Sequence, residues 1–311
     1  MKKLLFIYNP NAGTGMLRSH LMDVIDIFVK AGYEVTVYPT QQYKDGYRKV
    51  KEFKAGYDLL VCSGGDGTLD EIVTGMMERE DKIPIGYIPA GTTNDFANSL
   101  SIPKNVREAA SIAVNGTVFS CDVGKFNKDT FVYIAAFGLF TDVSYQTKQE
   151  MKNILGHLAY VLEGAKRLFA IPSYHIKVIY DGQEIEDEFV FGMVTNSKSV
   201  GGFRSIIGKN VVFDDGEFEV TLIKMPKNPL ALQEIVAALL IEQIDTKYMY
   251  MFKASQVTFE SIQEIPWTLD GEFGGRHDTV EIQNCKQALN IMVDANAVEK
   301  LTIDKLLVES E

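Results

Sequence analysis

The stretch Gly64-Gly65-Asp66-Gly67-Thr68 decides the fold prediction for this chain of 311 residues. It follows the apolar run Tyr57 to Cys62, which predicts a buried strand, and it precedes a helical pattern that begins near Leu69. Glycines let backbone N–H groups approach a polyphosphate closely, and they let the chain adopt positive φ angles. The unpaired amides of the following helix favour the same anion. The stretch therefore predicts a nucleotide phosphate site between a strand and a helix.

Two other phosphate-binding motifs are excluded. The stretch has no Gly-Lys-Ser/Thr ending, and no Gly-x-Gly-x-x-Gly string is present, so neither a P-loop nor the dinucleotide fingerprint applies. Asp66 cannot attract phosphate by itself, which points to a divalent cation that neutralises both groups. The alternative use of Asp66 is to cap the helix that follows.

Strands alternate with helices in the first third of the chain. The predicted strands are Lys3 to Tyr8, Glu34 to Tyr38, Tyr57 to Cys62 and Ile83 to Pro89, and the predicted helices lie near Leu17 to Ala31, from Leu69 through Met77, and after Asp95. This alternation predicts an α/β domain with a parallel, doubly wound sheet. Ligands of such sheets bind beyond the carboxyl ends of the strands. We therefore expect the polar turns after three of these strands to share one crevice.

The pattern after Asp122 is mainly that of strands. Predicted strands are Thr130 to Phe137, Tyr174 to Tyr180, Glu188 to Thr195, Phe218 to Lys224, Val257 to Phe259, Thr279 to Ile282 and Ala288 to Val293, and predicted helices are Gln149 to Ala170, Pro229 to Ile244 and Ala297 to Val308. Asp-Gly pairs at 181, 215 and 270 favour hairpins. We predict an α/β domain over residues 1–125, an antiparallel, sandwich-like domain over 126–295, and a C-terminal helix over 296–311 that returns to the first domain.

Composition narrows the class of protein. Hydrophobic residues make up 46% and charged residues 23%, as in soluble globular proteins, and the net charge of −11 argues against a nucleic-acid partner. Three cysteines without metal spacing indicate free thiols in a reducing cytosol. The apolar part of Met1 to Tyr8 is too short for a secretory signal, and Pro229 to Ile244 is too short to span a bilayer. We therefore expect a cytoplasmic protein.

Further strings give the chain a resemblance to a known family. Gly-Gly-Asp-Gly-Thr is shared by diacylglycerol and sphingosine lipid kinases, NAD kinases and phosphofructokinases. Gly91-Thr92-Thr93-Asn94-Asp95-Phe96-Ala97 resembles a block of bacterial diacylglycerol-kinase-like lipid kinases, and Asn9-Pro10-Asn11-Ala12-Gly13 resembles the opening block of that family. Later matches are Gly156 to Tyr160, Val200 to Phe203 and Leu269 to Glu272. The resemblance implies an NAD-kinase/phosphofructokinase-like fold followed by a β-rich lipid-substrate domain.

The resemblance also implies ATP and Mg²⁺ as cofactors and assigns residues to them. The implied nucleotide-binding residues are Asn9, Pro10, Asn11, Ala12, Gly13, Thr40, Gly64, Gly65, Asp66, Gly67, Thr68, Leu69, Asp70, Thr92 and Asn94. The implied magnesium network contains Asp66, Asp95 and Asp122, and a second metal site is implied at Asp215 with the backbone carbonyls of Val212 and Glu217. Helix capping by Asn94 or Asp95, and a plain hairpin at Asp214-Asp215-Gly216, are the alternatives.

Asp270 and Glu272 are the candidate catalytic residues. A kinase that phosphorylates an alcohol needs a base for the hydroxyl proton, and a carboxylate suits that task. Two carboxylates two positions apart on a strand point the same way, so both are expected to face a cleft between the domains. The resemblance makes Glu272 the proton acceptor and places Asp270 near metal or substrate. A plain hairpin turn with a solvated Glu272 is the alternative.

The resemblance implies a lipid kinase that transfers the γ-phosphoryl of ATP to a lipid hydroxyl, in the first place from diacylglycerol to phosphatidic acid. Basic residues in Tyr145 to Ala170 are candidates for peripheral contact with a membrane surface that presents the lipid, and an apolar, glycine-containing loop over 201–208 is a candidate entrance for an acyl chain. An ordinary amphipathic surface helix and a packed hairpin are the alternatives for these two segments. A soluble substrate such as NAD, or a catalytically silent nucleotide-binding regulator, are the alternatives. The choice of lipid and the oligomeric state, including a homodimer through an exposed strand edge, stay open.

Overall fold

The computed structural model describes residues 1–13, 15–139, 172–198, 211–241 and 247–309. Several predicted features lie outside the described residues, namely the helix Gln149 to Ala170 with its basic side chains, the strings at 156–160 and 200–203, and the apolar loop over 201–208.

The chain forms two compact units. Unit 1 comprises residues 1–123, 212–215 and 285–311, and unit 2 comprises residues 124–211 and 216–284. The short segment 212–215 thus belongs to the first unit although most of its sequence neighbours do not. The sequence pattern did not predict this grouping, because the grouping depends on contacts between distant parts of the chain.

Unit 1 alternates strands with helices. Its elements are β1 (Lys2–Tyr8), α1 (Met16–Lys30), β2 (Tyr33–Pro39), α2 (Asp45–Glu52), β3 (Leu59–Gly64), α3 (Asp66–Met77), β4 (Ile85–Pro89), α4 (Asp95–Ser99), α5 (Val106–Asn115) and most of β5 (Thr117–Phe126). The strands β4, β3, β1 and β2 are neighbours in that order, and every pair is parallel. All residues of β3 and β4 are buried, as expected for the central strands of a parallel sheet. The α/β prediction is confirmed.

Unit 2 is built from antiparallel strands. Its elements are β6 (Asp129–Phe131), β7 (Ile134–Gly138), β8 (Tyr174–Tyr180), β9 (Gln183–Thr195), β10 (Phe218–Lys224), α6 (Pro229–Ile241), β11 (Met249–Ala254), β12 (Gln256–Leu269) and the first part of β13 (Glu272–Val293). The last part of β13 and α7 (Ala295–Glu309) belong to unit 1. Near its end, β13 pairs in parallel with β4 through Ile291 and Ile85.

The two long strands β9 and β12 explain why unit 2 resembles a sandwich. One half of each strand pairs with β8, and the other half of each pairs with β7. The register of β12 against β13 shifts between Glu260 and Ile265, which is where β12 changes partners. Bulges of this kind let a sheet turn a corner. The predicted antiparallel, sandwich-like arrangement is confirmed.

Aromatic rings fill the core of unit 2. Trp267, the only tryptophan of the chain, is 1% exposed. Its ring centroid lies 4.8 Å from that of Phe137 and 5.1 Å from those of Phe126 and Phe259, all in edge-on geometry. Such pairs add stability beyond the apolar area that they bury. The predicted strands therefore converge on one cluster of large side chains.

Some strand predictions were wrong in their extent. The predicted strand Thr130 to Phe137 is broken into β6 and β7 by Val132 and Tyr133, whose N–H groups bind a side-chain carboxylate instead of a neighbouring strand. The predicted strands Thr279 to Ile282 and Ala288 to Val293 form one strand, β13, which runs through the polar residues between them.

Two observations bear on the environment of the chain. Among the described residues, no helix is both long enough and apolar enough to cross a bilayer. The three cysteines are free thiols, and burial raises the pKa of the Cys62 and Cys121 thiols, which keeps them protonated and unreactive.

Glu71 links helices α2 and α3 of unit 1 by hydrogen bonds. From α3, its carboxylate accepts the backbone N–H groups of Lys44 (2.8 Å) and Gly46 (3.0 Å) at the start of α2. The first amides of a helix have no partner within the helix, so a carboxylate from elsewhere takes the role of the missing cap. Lys44 has a φ of 60°, and this contact helps to hold it there.

We expect Glu71→Ala to lower the free energy of unfolding by about 3 kcal/mol, because two hydrogen bonds to a charged acceptor are lost. Urea denaturation followed by circular dichroism measures this change. Glu80→Ala, which removes an exposed carboxylate, serves as the control and should change stability by less than about 0.5 kcal/mol. Equal effects of the two substitutions would contradict the capping role.

Candidate functional site

The three predicted polar turns lie side by side in unit 1. They follow β1, β3 and β4, which are adjacent parallel strands that end at the same level: Tyr8 is paired with Ser63, and Gly64 with Pro89. Backbone hydrogen bonds join the turns directly, from the N–H of Asn9 to the carbonyl of Ser63 (2.9 Å) and from the N–H of Ala90 to the carbonyl of Gly64 (2.8 Å). The three turns therefore lie together at the carboxyl edge of the sheet, as predicted from their positions. That they bind a nucleotide stays a prediction.

Space, not backbone dihedral, requires glycine at 64 and 91. A Cβ on Gly64 would lie 2.4 Å from Cβ of Thr68, and one on Gly91 would lie 2.6 Å from the Cα of Gly65. Neither glycine has a positive φ. The turns after β3 and β4 therefore pack backbone against backbone at Gly65 and Gly91, and the absence of a Cβ on Gly64 makes room for the side chain of Thr68.

Helix α3 begins at Asp66, earlier than the predicted start near Leu69. Gly65 occupies the N-cap position without a side-chain cap, so Asp66, Gly67 and Thr68 form the first turn of the helix. The alternative that Asp66 caps this helix is wrong, because it lies inside the helix. Its Oδ2 instead accepts the N–H of Asp95 at 3.3 Å, which brings the second and third turns together.

Asn94 shapes the third turn. It has a φ of 55°, a conformation that asparagine tolerates better than most residues, and it is 1% exposed. Its Oδ1 accepts the N–H of Gly91 (3.0 Å) and the hydroxyl of Tyr87 (3.3 Å), and its Nδ2 donates to the carbonyl of Gly91 (2.7 Å). Asn94 precedes α4 but makes no side-chain capping bond. Its described side-chain contacts are therefore with the turn itself and with Tyr87 of β4.

Tyr87 is a residue that sequence reasoning missed. Its hydroxyl donates to the carbonyl of Gly64 (3.1 Å) and also contacts Asn94, so Tyr87 links the turn after β3 to the turn after β4. Burial raises the pKa of Tyr87 well above its usual value, and the charge of Asp66 adds to this effect, so the hydroxyl stays a donor. A tyrosine within a wholly buried strand needs a polar partner, and that was the available signal.

The first turn is held by side chains of its own. Asn9 donates through Nδ2 to the hydroxyl of Thr68 (3.4 Å), and its Oδ1 accepts the N–H of Asn11 (2.9 Å). Gly13 has a φ of 54°, and a Cβ there would lie 2.1 Å from the carbonyl oxygen of Ala90. The turn after β1 therefore reaches the turn after β4.

The remaining predicted nucleotide residues differ in exposure. Thr92 is exposed, Pro10, Ala12 and Asp70 are half-buried, and Thr40 and Leu69 are buried. Thr40 donates its N–H to the carbonyl of Tyr8 (2.9 Å), so the turn after β2 joins the same edge of the sheet. Leu69 belongs to the apolar core of the unit. Its assignment as a nucleotide contact stays a prediction.

Asp122 lies on β5 and is 1% exposed. Its Oδ1 accepts the N–H of Gln287 (2.7 Å), and its own N–H donates to the carbonyl of Phe213 (2.8 Å). Within the described ranges, no cluster of three histidine, cysteine or acidic residues is arranged to hold a metal ion. The contacts bring Asp66 and Asp95 together, and the place of Asp122 in a magnesium network stays a prediction.

The segment of the second predicted metal site is fixed by neighbours from unit 1. Lys286 Nζ donates to the carbonyl of Asp215 (2.9 Å), and Lys305 pairs with the carboxylate of Asp214 at 3.1 Å. Val212 is buried, and Glu217 is half-buried. The oxygen donors are of the type that hard cations prefer, but Lys286 already places a positive charge at one carbonyl. The site stays a prediction.

The prediction that Asp270 and Glu272 share one strand is wrong. Asp270 lies in the turn that joins β12 to β13, with a φ of 49°, and Glu272 is the first residue of β13, paired with Leu269. The Asp-Gly pair forms the tight turn that it favours, which removes the two-residue alternation of a strand. The carboxylate of Asp270 is buried and accepts the N–H groups of Val132, Tyr133 and Ile134, whereas Glu272 is exposed.

The fold and the site place the protein in a class with two units. The first is an α/β unit with glycine-rich turns of the kind that bind phosphate, and the second is an antiparallel β unit. Two family models match the chain in this order. One is described as the diacylglycerol kinase catalytic domain and matches residues 3–126, and the other is described as the YegS C-terminal NAD kinase beta sandwich-like domain and matches residues 135–293.

Individual relatives agree with these matches. A diacylglycerol kinase of Bacillus subtilis is 32% identical over 97% of this chain and 99% of its own length, and one of Staphylococcus carnosus is 33% identical over 88% and 90%. A crystal structure of a diacylglycerol kinase from Bacillus anthracis matches with a TM-score of 0.74 at 25% identity, covering 95% of this chain and 98% of the other. The chain belongs to the diacylglycerol kinase family and is a lipid kinase.

Gly13 and Gly15 form a matched pair for testing the approach of the turns. Both have positive φ, at 54° and 74°, so alanine is strained equally at either position, but an added Cβ meets Ala90 at Gly13 and nothing within 4 Å at Gly15. We expect Gly13→Ala to cost about 2 kcal/mol more stability than Gly15→Ala, because the neighbouring backbone must move. It should also reduce lipid phosphorylation more. Thermal unfolding and phosphate transfer measured on both variants check this, and indistinguishable variants would show that the approach is unimportant.

Proposed function

We propose that this protein uses ATP and Mg²⁺ to phosphorylate the hydroxyl of a glycerolipid, with diacylglycerol as the substrate and phosphatidic acid as the product. The observation that carries the proposal is the junction of three turns, after β1, β3 and β4, at one edge of the unit 1 sheet. The names of the relatives support the choice of lipid, since both curated proteins compared above are diacylglycerol kinases.

The turns fit the phosphates of ATP. Gly65 at the N-cap position of α3 and Gly67 in its first turn carry no side chain, and the first amides of α3 lie at the edge where the turns meet. The hydroxyl of Thr68 lies in that first helical turn, and Asn9 contacts it from the first turn. Together these groups supply uncharged donors, which bind phosphate without a lysine.

The carboxylates of Asp66 and Asp95 are suited to bind Mg²⁺ together with phosphate oxygens and water. Asp66 and Asp95 lie on adjacent turns and are joined by a hydrogen bond, so both are near the proposed phosphate position. Magnesium in kinases is held by one or two carboxylates and completed by phosphate oxygens and water, so a preformed cage of three side chains is unnecessary. When bound, the ion would neutralise charge on the transferring phosphoryl group.

Glu272 is proposed to accept the proton of the lipid hydroxyl. The hydroxyl oxygen then bonds to the γ-phosphorus while the bond from that phosphorus to its bridging oxygen breaks, and ADP leaves. Glu272 is exposed in the described part of unit 2, which suits a group that must reach a substrate arriving from outside. Because phosphoryl transfer depends mainly on positioning and charge neutralisation, the base contributes only a part of the rate.

The substrate is proposed to be taken from a membrane surface, where diacylglycerol resides. A lipid with two acyl chains is insoluble as a monomer, so the protein must work at an interface while itself carrying a net charge of −11. Strong adhesion through basic residues is disfavoured by this charge. Brief peripheral contact fits the proposal better than permanent anchoring.

We expect Glu272→Gln to lower kcat for diacylglycerol about 10²- to 10⁴-fold, as is typical when a general base is removed. The KM for ATP should be unchanged, because Glu272 is not assigned to nucleotide binding. Transfer of labelled phosphate from ATP to diacylglycerol in mixed micelles measures both constants. Glu281→Gln removes another exposed carboxylate of β13 and should be fully active. A fully active Glu272→Gln enzyme would refute the assignment.

The acceptor and the cation are tested together on the unaltered protein. Incubation with ATP, Mg²⁺ and total bacterial lipid, followed by mass spectrometry, should show a gain of one phosphoryl group on diacylglycerol and none without Mg²⁺. Asp66→Asn should require more Mg²⁺ for half-maximal rate. Phosphorylation of NAD or a sugar phosphate without lipid would overturn the glycerolipid proposal, and ATP binding without any transfer would indicate a regulator.

A further inference from the structure

The carboxylate of Asp270 binds one short segment of unit 2 through three hydrogen bonds. Its Oδ1 accepts the N–H groups of Tyr133 (3.0 Å) and Ile134 (2.9 Å), and its Oδ2 accepts the N–H of Val132. The residue is 4% exposed. A charged acceptor forms stronger hydrogen bonds than a neutral one, and a buried carboxylate is tolerated only when it has such donors.

The same segment is held from its other side by β9. The hydroxyl of Thr195 donates to the carbonyl of Tyr133 (2.6 Å), and the N–H of Asn196 donates to the same carbonyl (3.0 Å). The backbone of Asp270 adds a further bond, from its N–H to the carbonyl of Ile134 (2.9 Å). Residues 132–134 are thus clamped between the end of β9 and the turn after β12.

This clamp lies next to the proposed proton acceptor. Asp270 is followed by Gly271, with a φ of 87°, and then by Glu272, which is paired with Leu269 across the turn. Leu269 is in turn paired with Ala135 of β7. Because the turn has only two residues, a movement of Asp270 is passed directly to Glu272.

A second Asp-Gly turn shows that the turn itself does not need a buried carboxylate. Asp181 and Gly182 join β8 to β9 with φ values of 45° and 74°, close to the 49° and 87° of Asp270 and Gly271. Asp181 is exposed. The same backbone geometry is therefore reached without the clamp, so the buried carboxylate of Asp270 serves something other than turn formation.

We propose that Asp270 is a positioning residue, whose carboxylate fixes the β12–β13 turn to residues 132–134 and so holds Glu272 in the place from which it accepts the proton. This inference rests on the proposed function of Glu272. It differs from the sequence prediction, which placed Asp270 near metal or substrate. If Asp270 acts only through Glu272, its contribution to kcat disappears when the Glu272 carboxylate is removed. This dependence can be measured.

Asp270→Asn is the substitution that isolates the clamp. Asparagine tolerates positive φ, and its Oδ1 can still accept the N–H groups of Tyr133 and Ile134, whereas its Nδ2 faces the N–H of Val132 without being able to accept it. We expect kcat for diacylglycerol to fall about 10²-fold, since small misplacements of a reacting group have effects of this size. The KM for ATP should be unchanged.

A double-mutant cycle separates positioning from a direct role. In the Glu272→Gln background, adding Asp270→Asn should cause no further loss of kcat, because residues that act as one unit are not additive. An independent metal or substrate ligand predicts multiplied losses, and so does a folding defect that lowers the active fraction. Multiplied losses, or a fully active Asp270→Asn enzyme, would overturn the positioning role.

Two further variants complete the experiment. Asp181→Asn, in the matching turn, should be fully active. Thr195→Val removes the hydroxyl that holds Tyr133 from the other side, and it should lower kcat less than Asp270→Asn, again with no effect in the Glu272→Gln background. This variant decides the matter if Asp270→Asn fails to fold. Full activity of Glu272→Gln would refute the proposed function itself, whereas a deficient Glu272→Gln with multiplied losses would refute only the positioning role.

Discussion

The contact of two backbone turns without side chains between them is the constraint on which unit 1 depends. A Cβ on Gly91 would lie only 2.6 Å from the Cα of Gly65, and Tyr87 and Asn94 hold the two turns with hydrogen bonds to Gly64 and Gly91. Asp66 and Asp95 are brought together by the same contact. The arrangement of turns for which we propose phosphate and cation binding therefore follows from the close packing of main chain.

The corresponding tertiary contact in unit 2 is made by the buried carboxylate of Asp270. The strands of this unit are held by an aromatic core around Trp267, but Glu272 is exposed beyond that core, next to the buried Asp270. Asp270 joins the turn before Glu272 to three backbone N–H groups of residues 132–134. A carboxylate suits this task because it accepts several donors at once and binds them more strongly than a neutral group.

Much of this arrangement was predicted from sequence, though often for a different reason. The three turns were expected at one edge of the sheet because parallel strands end together, and the registers of β1, β3 and β4 show this. The glycines of the stretch 64–68 were expected both for close approach of backbone N–H groups to phosphate and for positive φ, but Gly64 has no positive φ and is needed for space, as is Gly91. Tyr87 was missed, since its partners come from other turns. The paired orientation of Asp270 and Glu272 failed because a turn interrupts the strand.

The sequence by itself indicated most of the strands and helices and their order, because the periodicity of apolar residues and the turn chemistry of Gly, Asn and Asp act over a few neighbouring positions. Only the tertiary structure decided the contacts between distant positions: Glu71 on the start of α2, Asp270 on residues 132–134, and the inclusion of segment 212–215 in unit 1. The physical reason is that a buried carboxylate must accept hydrogen bonds, and tertiary packing decides which N–H groups lie close enough to donate them. The local sequence pattern does not specify these donors.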